Sequence, residues 1–257
     1  MNSNPTDIRI PFFETAERHL TIRVGACRLQ ITRGGGSDWV VGTYDDPTGT
    51  LPCHVQTSAG FARISQEPRV SAVMGLRRGV PTFNLALGAS QPYTLTIETG
   101  ASDSEFELGG LPLQRLSLKI GAGKNVLRFL EPNPQPLSVL DIDAGAGSFE
   151  LRDLANANFT DLSVDGGAAA FVCDFGGSLR RDASAHISAG MSTVAIAVPQ
   201  DTAARISAES VLGQISAGDG FITREGGYWT RAATEGGTPV LAIRVSVALG
   251  TVSLTTR

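Results

Sequence analysis

Asp141 and Asp143 lie two residues apart in the stretch LDIDAGAGSFEL, residues 140–151. If that stretch is extended, both carboxylates share one face, about 7 Å apart by the rise of a strand. Such a pair suits glycoside hydrolysis, one acid giving a proton and the other acting as base or nucleophile. The remainder of that chemistry is not nearby. Trp39, Trp229, Tyr44, Tyr93 and Tyr228 are scattered and form no sugar platform, and acids on the outside of a strand ordinarily keep it soluble. GAGK, residues 121–124, has the outline of a phosphate loop. That loop needs a glycine where Leu118 stands and Ser or Thr where Asn125 stands. It also needs a following helix, whereas VLRF continues an extended pattern.

The histidines, His19, His54 and His186, lack a second ligand at i+2, i+3 or i+4. Cys53 and His54 are adjacent, so in a strand they face opposite ways. The three cysteines, Cys27, Cys53 and Cys173, are odd in number and widely spaced, which is no disulfide framework. Cys173 alternates with Phe171 and Phe175 and reads as a small core residue. There is no Gly-x-Ser-x-Gly elbow and no calcium-binding Gly-Gly-x-Gly-x-Asp nonapeptide. The expectation is a protein that is not an enzyme and has no catalytic, cofactor-binding or metal-binding residue set.

Charge narrows the partners. Net charge is −4 and only 18% of the 257 residues are charged, so nothing draws a polyanion and nucleic acid is excluded. Arg77–Arg78 and Arg180–Arg181 read as isolated surface pairs. The N-terminus lacks a basic region followed by an apolar run, and no apolar stretch approaches a membrane span. The chain as written is expected in the cytoplasm, with membrane association through a partner as the alternative.

The elements around these residues repeat. LTIRVGACRLQI (20–31), YTLTIETGASDSEFEL (93–108), LSLKIGAGKNVLRF (116–129), LDIDAGAGSFEL (140–151), LSVDGGAAAFVCDF (162–175) and HISAGMSTVAIAV (186–198) are copies of one design. Weaker copies begin at residues 204 and 243. The marker glycines are Gly25, Gly100, Gly121, Gly145, Gly166 and Gly190, and from Gly100 onward the period is about 22 residues, in the range of solenoids. FEL recurs at Phe106 and Phe149, a two-rung regularity. Within each copy apolar residues alternate, which is the signature of strands with one buried face. Leu116, Leu118 and Ile120 point inward, as do Leu140, Ile142 and Ala144, so Asp141 and Asp143 point outward. Glycine at the marker positions serves a bend that recurs at one height, through positive φ and through close approach of stacked rungs. Arg244 and the closing TTR read as protection of a last, exposed edge.

The fold class expected is all-β: a single-stranded β-solenoid (β-helix) over residues 91–257, with a more irregular N-terminal β part, cap or first rungs, over residues 1–90. HVQTSAGFARI (54–64) and FNLALGAS (83–90) read as further strand-bend units, TYDDPTGTLPC as a loop, and SQEPRVSAVMGLRRGVP as a longer connection.

LTIRVGACRLQI, TIETGASDSEFELGGLPLQRLSLKIGAG, DLANANFTDLSVDGGAAAFVCDFGGSLRRDASAHISAGMSTVAIAVP and LAIRVSVALGTVSL together resemble the bacterial toast-rack family, related to adhesin-like repeats and to LiaF-like envelope-stress domains. The resemblance implies a non-enzymatic repeat domain, often attached to membrane segments, and carries no catalytic residues. The function expected is a non-catalytic interaction domain offering strand faces to a protein partner, as an accessory of envelope-stress signalling. The alternatives are an adhesin-like module binding glycan or a surface, and a polysaccharide-active β-helix enzyme.

Overall fold

The computed structural model describes residues 5–66 and 79–257. The connection read at residues 65–81 and the Arg77–Arg78 pair fall largely or wholly outside them. The chain is all-β and its strands form one large mixed sheet. Strands β1 (Thr6–Pro11), β2 (His19–Val24), β3 (Cys27–Arg33), β4 (Asp38–Asp45), β5 (Cys53–Ser58), β6 (Phe61–Gln66) and β7 (Thr82–Leu87) are short. β8 (Tyr93–Glu107), β9 (Leu113–Arg128), β10 (Leu137–Arg152), β11 (Phe159–Asp174), β12 (Ala183–Val198) and β13 (Ala203–Ala217) run 15 or 16 residues. A hairpin, β14 (Phe221–Arg224) and β15 (Gly227–Thr230), precedes the last strand, β16 (Val240–Thr256). Among the described residues the only helical pieces are a 3-10 turn at Leu154–Ala157 and one turn at Arg231–Thr234.

Each long strand is two arms. In β10, after Leu137 at its start, the buried residues are Leu140, Ile142 and Ala144, then Phe149 and Leu151, with residues 145–148 exposed between them. An unbroken strand would keep its inward positions on one parity. The switch of parity therefore marks a corner, and it recurs in β12, where Ile187 and Ala189 give way to Val194 and Ile196. The arms converge on the core inside the corner. In β11 the Phe171 ring of the second arm reaches the first arm at Gly166, 2.5 Å from where a β-carbon would stand.

The long strands pair parallel and in register. Thr96 of β8 lies opposite Ser117 of β9, Ser117 opposite Asp141, Asp141 opposite Ser163, and Ser163 opposite His186. Parallel neighbours bury one continuous core between the arms, which no single copy could cover alone. One core cluster extends from Ile8 to Leu254 and includes Cys173 beside Phe171 and Phe175.

The order is not sequential at the C-terminal end. β16 inserts between β12 and β13, with His186 opposite Arg244 and Arg244 opposite Ser207. Arg244 therefore sits inside the sheet, and the reading of it as edge protection is overturned. At the N-terminal end β2 and β3 lie against the two arms of β8. β6 and β7 add outside them in parallel. Antiparallel pairing then closes the ladder, β5 on β6, β4 on β7 and β1 on β4. Residues 54–64 are thus an antiparallel hairpin turning at Gly60, with φ +75°, rather than one more bent rung.

Candidate functional site

A groove of about 870 Å³ runs across β2, β8, β9, β10 and β11 along the first-arm side of the corner. Its floor is main chain. A β-carbon on Gly121 would stand 2.6 Å from the Gly100 carbonyl oxygen, one on Gly167 2.5 Å from that of Gly145, and one on Gly190 2.9 Å from that of Gly167. Gly145 meets the Gly121 carbonyl more closely still. From Gly121 to Gly190 the strands stack backbone on backbone, and a side chain there would have to displace a carbonyl, whereas at Gly100 the Gly25 carbonyl lies at an ordinary 3.5 Å. The column is Gly25, Gly100, Gly121, Gly145, Gly167 and Gly190. Gly166 stands outside it, opposite Ala144 and Ala189 on the inward side, where it leaves room for Phe171. None of the column glycines has positive φ; that conformation falls two residues later, at Gly123 (129°), Gly147 (125°) and, in β16, at Gly250 (141°).

One wall of the groove is a row of outward side chains in mutual register: Arg23, Glu98, Lys119, Asp143 and Asp165, continued by Ser188. Each of the five charged residues stands two positions before a column glycine. The Arg23 guanidinium forms an ion pair with Glu98, Nε to Oε2 at 2.8 Å. At the other end the row turns acidic. Asp141, one strand face-step from Asp143, brings its carboxylate together with those of Asp143 and Asp165, with one oxygen of each within 4.8 Å of the others. Partial burial raises the Asp141 pKa, and the charges of Asp143 and Asp165 raise it further, against Lys119 and a Ser117 hydrogen bond. Three carboxylates so placed have the chemistry to take an oxygen-loving cation or a cationic side chain.

The other residues singled out by type are dispersed. GAGK lies within β9, where the Lys124 amide donates to Asp103 Oδ1 at 3.2 Å. His19 and His186 are exposed on different strands. Cys27 and Cys173 are buried, and burial pushes both thiols up to about 12. Cys53 is half-buried, and all three cysteines are free. Arg181 donates through Nε to Asn158 Oδ1 at 2.9 Å.

Residue type singled out Asp143 alone of the charged row, as the partner of Asp141, because the other members belong to no motif. The row's signal was the recurrent pattern of a charge two residues before each marker glycine: Arg23 and Gly25, Glu98 and Gly100, Lys119 and Gly121, Asp143 and Gly145. The same rule applied to Asp165 selects Gly167 over Gly166.

Residues 2–137 match the family described as the N-terminal domain of toast_rack, DUF2154. No curated protein matches the chain. Among solved structures, a candidate cell adhesion protein from Clostridium sporogenes is 15% identical with a TM-score of 0.50, covering 99% of this chain and 100% of that one. A candidate adhesin from Bacteroides fragilis is 9% identical with a TM-score of 0.44, covering 98% and 96%. A candidate lipid binding protein from Parabacteroides distasonis is 11% identical with a TM-score of 0.39, covering 99% and 96%. No helix among the described residues is long and apolar enough to cross a membrane.

Proposed function

This chain belongs to the toast-rack family, and from that premise and the groove we propose that it is a non-catalytic β-solenoid interaction domain. Its ligand is an extended protein segment lying along the glycine column. The solenoid reading is supported by the parallel register of the rungs and by the recurrent corner. The observation that carries the binding reading is the groove itself, a floor of bare backbone beside a row of charges in register. Glycine floors let a second main chain approach, as side chains would not. The row fixes the polarity of the ligand, because Arg23 is already paired with Glu98 while Asp141, Asp143 and Asp165 crowd one another. A cationic side chain placed over those acids relieves their repulsion, so the partner segment is basic at the β10–β11 end. The role that fits such a domain is that of an accessory in envelope-stress signalling.

An array of 12-residue peptides of acidic, neutral and basic composition, probed with the whole chain, tests this. Basic extended peptides are expected to be retained, and the double substitution Asp143→Lys/Asp165→Lys to weaken them at least tenfold. Equal retention of all peptide classes, or none, goes against the reading. Binding of a parallel oligosaccharide panel in place of the peptides would favour the adhesin-like alternative.

A further inference from the structure

The corner carries two columns, and both swell toward β13. Following the registers, the glycine column Gly25, Gly100, Gly121, Gly145, Gly167, Gly190 continues as Ala248 and ends at Val211. The adjacent column, Ala101, Ala122, Ala146 and Ala168, continues as Met191, Leu249 and Leu212. These large apolar side chains face solvent: Met191 is 63% exposed, Leu249 44%, Leu212 66% and Val211 80%.

The patch adjoins an open edge. β13 pairs with β16 on one side, and on the other β15 covers only Arg205 and Ile206. Among the described residues no strand pairs with the outer side of Ser207–Ala217. The opposite end of the sheet differs, since the edge strand β1 carries Asp7, Arg9 and Pro11, devices that blunt an edge. The open stretch of β13 carries a single charge, Glu209.

We propose that Ser207–Ala217 pairs antiparallel with the same stretch of a second copy of this chain, about a two-fold axis through Leu212. Leu212 is the midpoint of the open stretch, so this register pairs its whole length, Ser207 facing Ala217. Leu212 then meets Leu212 of the second copy, and the stripe Met191–Leu249–Leu212 becomes continuous across the axis. Val211 faces Gly213, which has room for it. The two Glu209 side chains are separated and each faces Ile215. An interface of equal patches related by a two-fold axis closes on itself and does not propagate. The edge is about 36 Å long, and with a width of about 10 Å it buries roughly 700 Å² in total, the size of a transient contact. The dimer is therefore weak and concentration-dependent.

Sedimentation velocity of the whole chain from 5 to 500 µM, at order-of-magnitude spacing, is expected to show a monomer–dimer shift. Leu212→Lys should raise the dissociation constant at least tenfold while leaving the circular dichroism spectrum unchanged. In a Cys53→Ser background, Leu212→Cys should form a covalent dimer on mild oxidation. Ser207→Cys should do so only when mixed with Ala217→Cys. A monomer at every concentration together with no covalent dimer overturns the proposal. So does a dimer that survives Leu212→Lys but is lost on Val55→Lys at the β5 edge.

Discussion

The middle of the corner and its C-terminal end are built from the same two columns and solve opposite problems. From β8 to β11 the columns are glycine and alanine, and from β9 to β11 the glycine floor is closed so tightly that a β-carbon would strike the neighbouring carbonyl. From β12 through β16 to β13 the same positions hold Ala248, Val211, Met191, Leu249 and Leu212. The contact has already loosened at Gly190, where the β-carbon would stand 2.9 Å from the neighbouring oxygen against 2.6 Å at Gly121. Side-chain size at a corner thus follows what lies next in the stack. Where backbone follows closely, only glycine fits. Toward the last strand bulk is accommodated, and apolar bulk facing water calls for a covering.

The comparison breaks most readily at Gly145. Gly145→Val places branched carbon against the Gly121 carbonyl and is expected to cost about 3 kcal/mol, read by urea or thermal unfolding. Ala146→Leu, one residue later in the column that tolerates Met191 and Leu249, is expected to stay within about 0.5 kcal/mol. Equal effects of the two would mean that the columns are not distinct.

Gly166 sharpens the inner side of the same corner. Gly166→Ala drives a methyl into the Phe171 ring, and overpacking of this kind costs about 1–3 kcal/mol. Adding Phe171→Leu to that variant should recover part of the loss, giving a coupling energy of about 1 kcal/mol in a double-mutant cycle. Strict additivity would place the ring elsewhere.

These corners also show what sequence can and cannot convey. Alternation told which side of each strand is buried, because a residue's face depends on parity alone, and Leu140, Ile142, Cys173 and their neighbours lie inside. Spacing told the repeat length, since the register offsets between parallel strands follow it. The doublet Gly166–Gly167 is ambiguous by composition, and only the three-dimensional register separates the residue stacked on Gly145 from the one facing Phe171. The insertion of β16 between β12 and β13 was not legible at all. A strand carries no local mark of its neighbour when every copy shows the same alternating face, and the hairpin β14–β15 with its helical turn merely lengthens the return. The groove lay between these cases. Its floor was visible as glycines, but its wall needed the charges to be read at a fixed offset from them.

The smallest effect concerns the groove mouth. Asp141 has its pKa raised, first by burial and then by Asp143 and Asp165, with Lys119 and the Ser117 hydrogen bond opposing. A carboxyl whose folded pKa lies above its unfolded value favours the fold most when protonated. Its contribution is fully present below the unfolded value near 3.8 and is lost as pH rises through the folded one. At pH 7 the ionised group is therefore a net cost, and Asp141→Asn should stabilise the chain by roughly 0.5 kcal/mol after solvent screening. That advantage should vanish below about pH 3, where both forms are neutral. High salt separates the causes, because 1 M electrolyte screens the Asp143 and Asp165 charges beyond about 3 Å but leaves burial in place. Most of the gain should then survive in 1 M sodium chloride. A variant less stable than the parent at pH 7 would show that the Ser117 and Lys119 contacts outweigh the crowding. The acidic end of the row would then already be satisfied without a cationic partner.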